Sequence, residues 1–283
     1  MQFTIIADKL ADLSVDEFKH EFCTVHAEET KEAASSLGLI SQYIQGLYLP
    51  SALGGAKQLT YLPLPEHDSP YQSLAQLTWP SISVLQGSLQ SAEYRASAAA
   101  RHEFAVPKHI FLTERLEHDT HHGDGVLGRP GHIDGHQRPV VLIAALAPGL
   151  GLNETEFRDR WAKHGDNVRV LAMAYYQRNA ILPVPREQIY ATFAETQFPA
   201  EKCWDRGGYE ELVFDSIEDA QLFCSQHAEA LRTSYSEFCD MQRSWCAEFD
   251  YIERWGRVDI GLKQRVTGTI LGGILGAKLS LGL

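Results

Sequence analysis

Two segments far apart in the chain carry almost the same apolar face. "DEFKHEFCTVHAEE" (16–29) sets Phe18, Phe22 and His26 at four-residue intervals, and "TEFRDRWAKHGDN" (155–167) sets Phe157, Trp161 and His164 in nearly the same arrangement. Residues three and four apart share one side of a helix, so each segment predicts a helix that lays two aromatic rings and an imidazole on a packed surface. Asn153 opens the second helix as N-cap, with Glu156 three residues on as its capping-box partner. A pattern written twice constrains the fold more than any local propensity, because both copies need an equivalent surface to cover.

Around each helix the same order of elements is expected. The first half offers a strand near Phe3 to Ala7, a helix from Ser14 to about Ser36, the strands "ISQYIQGLYLP" and "LAQLTW", a helical region from Ser81 to Arg101, and the strand "HIFLTERLE". The second half offers "VVLIAALA", the helix opened by Asn153, "YYQRNAILP", "YEELVFD", a helix from Ser216 to about Cys239, and "EFDYIERWG". Each half reads β-α-β-β-α-β, the ferredoxin-like plan, in which a four-stranded antiparallel sheet carries both helices on one face. The bare face of each sheet must be covered. The expected fold class is therefore α+β, with two ferredoxin-like halves stacked face to face as an intrachain dimeric α+β barrel around a water-poor chamber.

The expected organisation is a first repeat over 1–117, a linker over 118–138, a second repeat over 139–257 and an apolar, glycine-rich tail over 258–283. The linker "HDTHHGDGVLGRPGHIDGHQR" keeps no hydrophobic periodicity, and Gly, Pro and His dominate it. Its histidines (His118, His121, His122, His132, His136) lack the helical context and thiolate company of a metal site, so no metal is expected. "GDGVLG" matches a nucleotide-binding glycine pattern in form only, since no strand precedes it and "RPG" follows where a helix should start. An insertion in the second half holds Tyr190, Phe193, Phe198 and Trp204, and reads as an aromatic lid. A formal net charge of −12 disfavours nucleic acid as a partner. Five cysteines without a CxxC pair fit reduced thiols, and "MQFTIIADKLADLS" has no basic region or long apolar core, so a cytoplasmic location is expected. The tail leaves weak scope for contact with a membrane surface, and exposed strand edges leave scope for a homodimer.

These features resemble the EthD-domain family of the dimeric α+β barrel superfamily. The resemblance is carried by the aromatic-aromatic-histidine helix faces, His164 being followed by Gly165, and by the tyrosine-led second strands "YIQGLYLP" and "YQRNAILP". The "ELVFDSIEDAQ" passage and the closing "YIE" strand belong to it as well. It implies a tailoring protein of the kind found in fungal aromatic polyketide pathways, some of which are assigned as cofactor-free decarboxylases or related lyases.

The residues themselves supply candidates for chemistry. His164 and, after it, His26 could transfer protons at neutral pH, or could be structural histidines satisfied by carbonyls. Tyr176 and Arg178 could hold a substrate oxygen, and Asp250 could orient a histidine or pair with Arg178. Trp161, Tyr43, Asn179, Phe22 and Tyr251 complete the expected substrate-binding wall. The expected function is a cofactor-independent lyase or isomerase/cyclase (decarboxylase, dehydratase or cyclase) acting on a small aromatic or polyketide-like substrate by histidine acid–base catalysis. Such substrates carry their own electron sink in a conjugated carbonyl, so no cofactor is expected. The alternatives are a cofactor-free oxygenase or pericyclase using the same cavity, haem binding as a minor case, and a non-catalytic small-molecule binding protein.

Overall fold

A computed structural model describes residues 1–31, 42–48, 62–65, 72–92, 94–96, 104–119, 131–132, 140–169, 175–198, 200 and 206–255. The first half runs β1 (Gln2–Lys9), α1 (Val15–His20), a π-helical turn (Glu21–His26), β2 (Gln42–Tyr48), β3 (Gln72–Thr78), α2 (Ile82–Leu89) and β4 (Ala105–Asp119). After a two-residue strand, β5 (Gly131–His132), come β6 (Val140–Leu146), α3 (Glu154–Arg169), β7 (Tyr175–Ile181), α4 (Arg186–Phe193), β8 (Gly208–Phe214), α5 (Ile217–Ser236) and β9 (Trp245–Trp255).

The class is α+β, but the expected barrel of two stacked four-stranded sheets is corrected. Among the described residues all nine strands belong to one large antiparallel sheet in the order β2-β3-β1-β4-β7-β8-β6-β9-β5, with an additional β2–β9 pairing. The halves join side by side through backbone hydrogen bonds: β4 pairs with β7 from Thr113↔Ile181 to Asp119↔Tyr176, and β2 with β9 from Tyr43↔Trp255 to Leu47↔Asp250. The physical reason is the length of β4 and β9, 15 and 11 residues, which leaves free edge for a strand of the other half. The linker contributes β5, paired on β9 at Gly131↔Arg254 and His132↔Glu253. The rest of the linker and the tail, with the expectations placed on them, lie outside the described residues.

Strand alternation sorts side chains between two faces. On the helix-covered face of the second half, α3 and α5 bury Phe157, Trp161, Leu212, Phe223 and Tyr235. In the first half, α1 and the π turn bury Phe18, Phe22, Tyr43 and Leu47 in a core of their own. The opposite face carries a core drawn from both halves, with Ile6, Ile44, Leu74 and Phe111 against Val141, Ile143, Val213 and Phe249. The aromatic insertion is not a lid over His164. Ile189 and Phe193 of α4 pack with Phe3, Trp79 and Leu85 beside α2, and Phe198 joins them. Tyr190 is exposed and Trp204 lies outside the described residues.

Candidate functional site

The second-half histidine does not project into the face shared by the halves. Helix α3 starts with the expected capping box, Asn153 and Glu156 exchanging side-chain-to-backbone bonds of 3.0 and 3.1 Å. It then delivers Trp161 and His164 to the helix-covered face of β7 and β8, where both meet Glu210. Trp161 Nε1–H donates to Glu210 Oε2 at 3.0 Å and the Tyr176 hydroxyl donates to the same oxygen at 2.7 Å. Tyr235 from α5 donates to Oε1, and His164 Nε2 lies 3.4 Å from that oxygen. The other imidazole nitrogen, Nδ1, is 2.8 Å from Ser234 Oγ.

His164 is 1% exposed and Glu210 is fully enclosed. Burial works hardest against ionisation of Glu210, yet the adjoining His164 and the hydrogen bonds from Tyr235 and Trp161 outweigh it and hold the carboxyl below its ordinary range. The Tyr235 phenol is pushed well up, first by burial and then by the Glu210 charge. Two glycines permit the packing: a Cβ on Gly165 would sit 3.0 Å from Arg178 Nε, and one on Gly208 would sit 2.7 Å from the Trp161 ring. Trp161, His164, Tyr176 and Arg178 are thus brought together, as packed parts of the core.

The first-half cluster is built differently. His26 closes the π turn and is partly exposed, the one of the two paired histidines that solvent reaches. Its ring stacks on Phe22 with centroids 6.2 Å apart, lies 5.3 Å from Phe104, and meets Tyr43 edge-on at 6.4 Å. The π turn explains how four-plus-four spacing keeps all three side chains together. In a regular α-helix, residues eight apart diverge by about 80°, whereas the seven of the Phe157–His164 spacing nearly realign. A turn with i→i+5 bonding absorbs the additional residue. Below it, Gln45 of β2, fully buried, donates from Nε2 to the Phe22 carbonyl at 2.7 Å. Gln45 was not expected from the sequence, and the signal available was an amide between Tyr43 and Leu47 on the helix-facing side of β2.

Asn179, expected beside Tyr176, points to the opposite face. There its Nδ2 donates to Glu211 Oε1 at 3.1 Å, joined by Gln76 Nε2 at 2.7 Å. Gln177 bridges to Asn179 and Gln2, while Thr4 and Tyr209 share a 2.7 Å hydroxyl contact. This buried polar network was also not foreseen. Asp250 and Tyr251 are placed by their backbones alone, opposite Leu47 and Gly46 of β2, which sets Asp250 away from the Arg178 pairings with β4 and β8. Among the described residues no three His, Cys, Asp or Glu side chains gather as a metal site would require, and no helix is long and apolar enough to cross a membrane.

Residues 10–107 match the EthD domain, a span that includes His26, Tyr43, Gln45 and Phe104. The chain is 34% identical over 233 residues to the chalcone isomerase cfoK of Aspergillus candidus, covering 81% of this chain and 85% of that protein. A crystal structure of an anthrone oxidase-like protein superposes with a TM-score of 0.51 over 89% of this chain and 92% of its own, at 11% identity, which shows a shared fold.

Proposed function

This chain carries an EthD domain and belongs to the same family as the Aspergillus candidus chalcone isomerase cfoK, and from that premise we propose that it is an enzyme isomerising a phenolic aromatic ketone by ring closure at His26. The observation that carries this reading is the partly exposed His26 set among Phe22, Tyr43 and Phe104. Flat aromatic walls suit a flat aromatic ligand. His26 is partly exposed whereas His164 is enclosed, and an imidazole is the side chain suited to moving a proton at neutral pH.

The steps balance without an outside reactant. The His26 imidazole takes the proton of a ring hydroxyl, the phenolate oxygen adds to the β-carbon of the conjugated enone, and the electron pair moves onto the carbonyl oxygen as an enolate. The imidazolium returns its proton to the α-carbon, and the product is an isomer of the substrate. Tyr43, whose ring meets His26 edge-on, is the proposed donor to the enolate oxygen. His164 serves the core and takes no part.

The test is conversion of 2′-hydroxychalcone to flavanone by the wild type, His26→Ala and His164→Ala. Loss of a positioned acid–base group costs about 10²–10⁴ in rate. His26→Ala should fall by that factor, while His164→Ala should lower the melting temperature more than the turnover of the folded fraction. Full activity in His26→Ala would remove the mechanism.

The architecture shared with the anthrone oxidase-like structure favours a second reading, a cofactor-free oxygenase in the same cluster. There the His26-generated phenolate would pass electrons to molecular oxygen instead of closing a ring. Oxygen uptake in step with turnover would select it, and an anaerobic reaction at full rate would dismiss it.

A further inference from the structure

We infer that Gln45 determines specificity in the proposed His26 site, its side-chain oxygen accepting a hydrogen bond from a second, non-reacting hydroxyl of the phenolic substrate. The inference rests on the reading above and adds a selection rule to it: a free ring hydroxyl at one position is accepted and its methyl ether is rejected.

The orientation of the amide follows from its anchor. The Phe22 carbonyl can only accept, so the group 2.7 Å from it must be the Nε2 amino group of Gln45, and Oε1 must face away. The anchor lies within the π turn, whose residues Glu21–His26 include Phe22. Gln45 Oε1 is buried and has no hydrogen-bond partner among the described residues. Buried polar atoms are nearly always satisfied, and one left open beside a proposed catalytic group is a place where a ligand completes the bond. Gln45 lies two residues along β2 from Tyr43 on the same face, and its anchor is one turn from His26, so the open acceptor belongs to the cluster holding both rings. An acceptor of this kind takes a hydroxyl and cannot be satisfied by an ether oxygen, and sites built to bond a hydroxyl reject analogues that lack it.

The experiment uses the full chain and three pairs of 2′-hydroxychalcones. Each pair carries one further substituent, at 4′, 6′ or 4, as a free hydroxyl or as its methyl ether, so every probe keeps the hydroxyl that closes the ring. Dissociation constants are read by quenching of intrinsic fluorescence and turnover by loss of chalcone absorbance. The wild type should prefer the hydroxyl member of one pair by about ten-fold or more. Gln45→Leu should bring that ratio of dissociation constants to near one, with circular dichroism confirming that the variant is folded. Gln45→Met, closer in length, serves where the leucine variant fails to fold.

A wild type that binds both members of all three pairs equally overturns the assignment, as does a folded variant that retains the preference. Because binding is read separately from turnover, discrimination lost in the variant with no flavanone formed supports Gln45 and sinks the isomerase reading alone. Turnover with no discrimination does the reverse.

Discussion

Glu210 is the residue on which the second half's core depends. Trp161, Tyr176 and Tyr235 all donate to it and His164 lies beside it. Removing one member of a buried charged set leaves the others uncompensated and costs about 3–5 kcal/mol. Glu210→Ala should therefore unfold at a melting temperature lower by on the order of 10 °C. The pH dependence has a definite sign. The folded carboxyl titrates below its ordinary value of 4.5, so between the two values the unfolded chain binds more protons. The stabilisation is complete above the ordinary value and is lost as pH falls through the lower, folded one. Melting curves from pH 7 to pH 3 should show a decline below about 4.5 in the wild type that is smaller in Glu210→Gln. Identical slopes would show that Glu210 is not the titrating group. The histidines were legible from helical spacing, but Glu210 was not, because hydropathy assigns a glutamate to solvent. The pair Glu210–Glu211 held the missing signal: neighbours on a strand face opposite ways, so in a strand covered on both sides both must be buried.

The first helix shows the same limit at the level of elements. Sequence places Phe18, Phe22 and His26 on one helix and predicts that they face the sheet, as they do. It does not announce that the turn over Glu21–His26 is π-helical, although the one-residue difference from the Phe157–Trp161–His164 spacing is its trace. That turn should matter to function more than to folding, as isolated π turns often do. Deleting Thr24, an exposed residue inside it, shortens the spacing to that of α3. The imidazole then shifts along the axis by about 1.5 Å relative to Tyr43 and Phe104. The deletion variant should melt no lower than the wild type and turn over 2′-hydroxychalcone at least about ten-fold more slowly. Undiminished turnover, with circular dichroism showing a native helix content, would mean that the π turn is incidental.

For the molecule as a whole, the α+β class and the order of elements could be read from alternation and helical period. The joining of the halves could not, because edge pairing depends on strand length and on where an edge is left free, and no local pattern reports either. Side-by-side pairing has a consequence that stacked, separable sheets would lack. β1 and β8 meet across one core, where Ile6 and Val213 are both buried, and two interfaces of backbone hydrogen bonds bind the halves. Damage in the first half should then open the second. Cys224, under α5 in the second half, reports such opening: it is 3% exposed, and burial above all pushes its thiol up to about 12, so the folded protein should resist alkylation at neutral pH. Ile6→Ala removes buried methyl groups from the shared core at a cost of about 2–5 kcal/mol. If the halves unfold as one cooperative unit, that loss raises the open population everywhere, and labelling of Cys224 by iodoacetamide accelerates by at least about thirty-fold. Mass spectrometry of the Cys224 peptide over time decides the matter, since an unchanged rate would mean that each half opens independently and that the joined edges of the sheet transmit no stability between them.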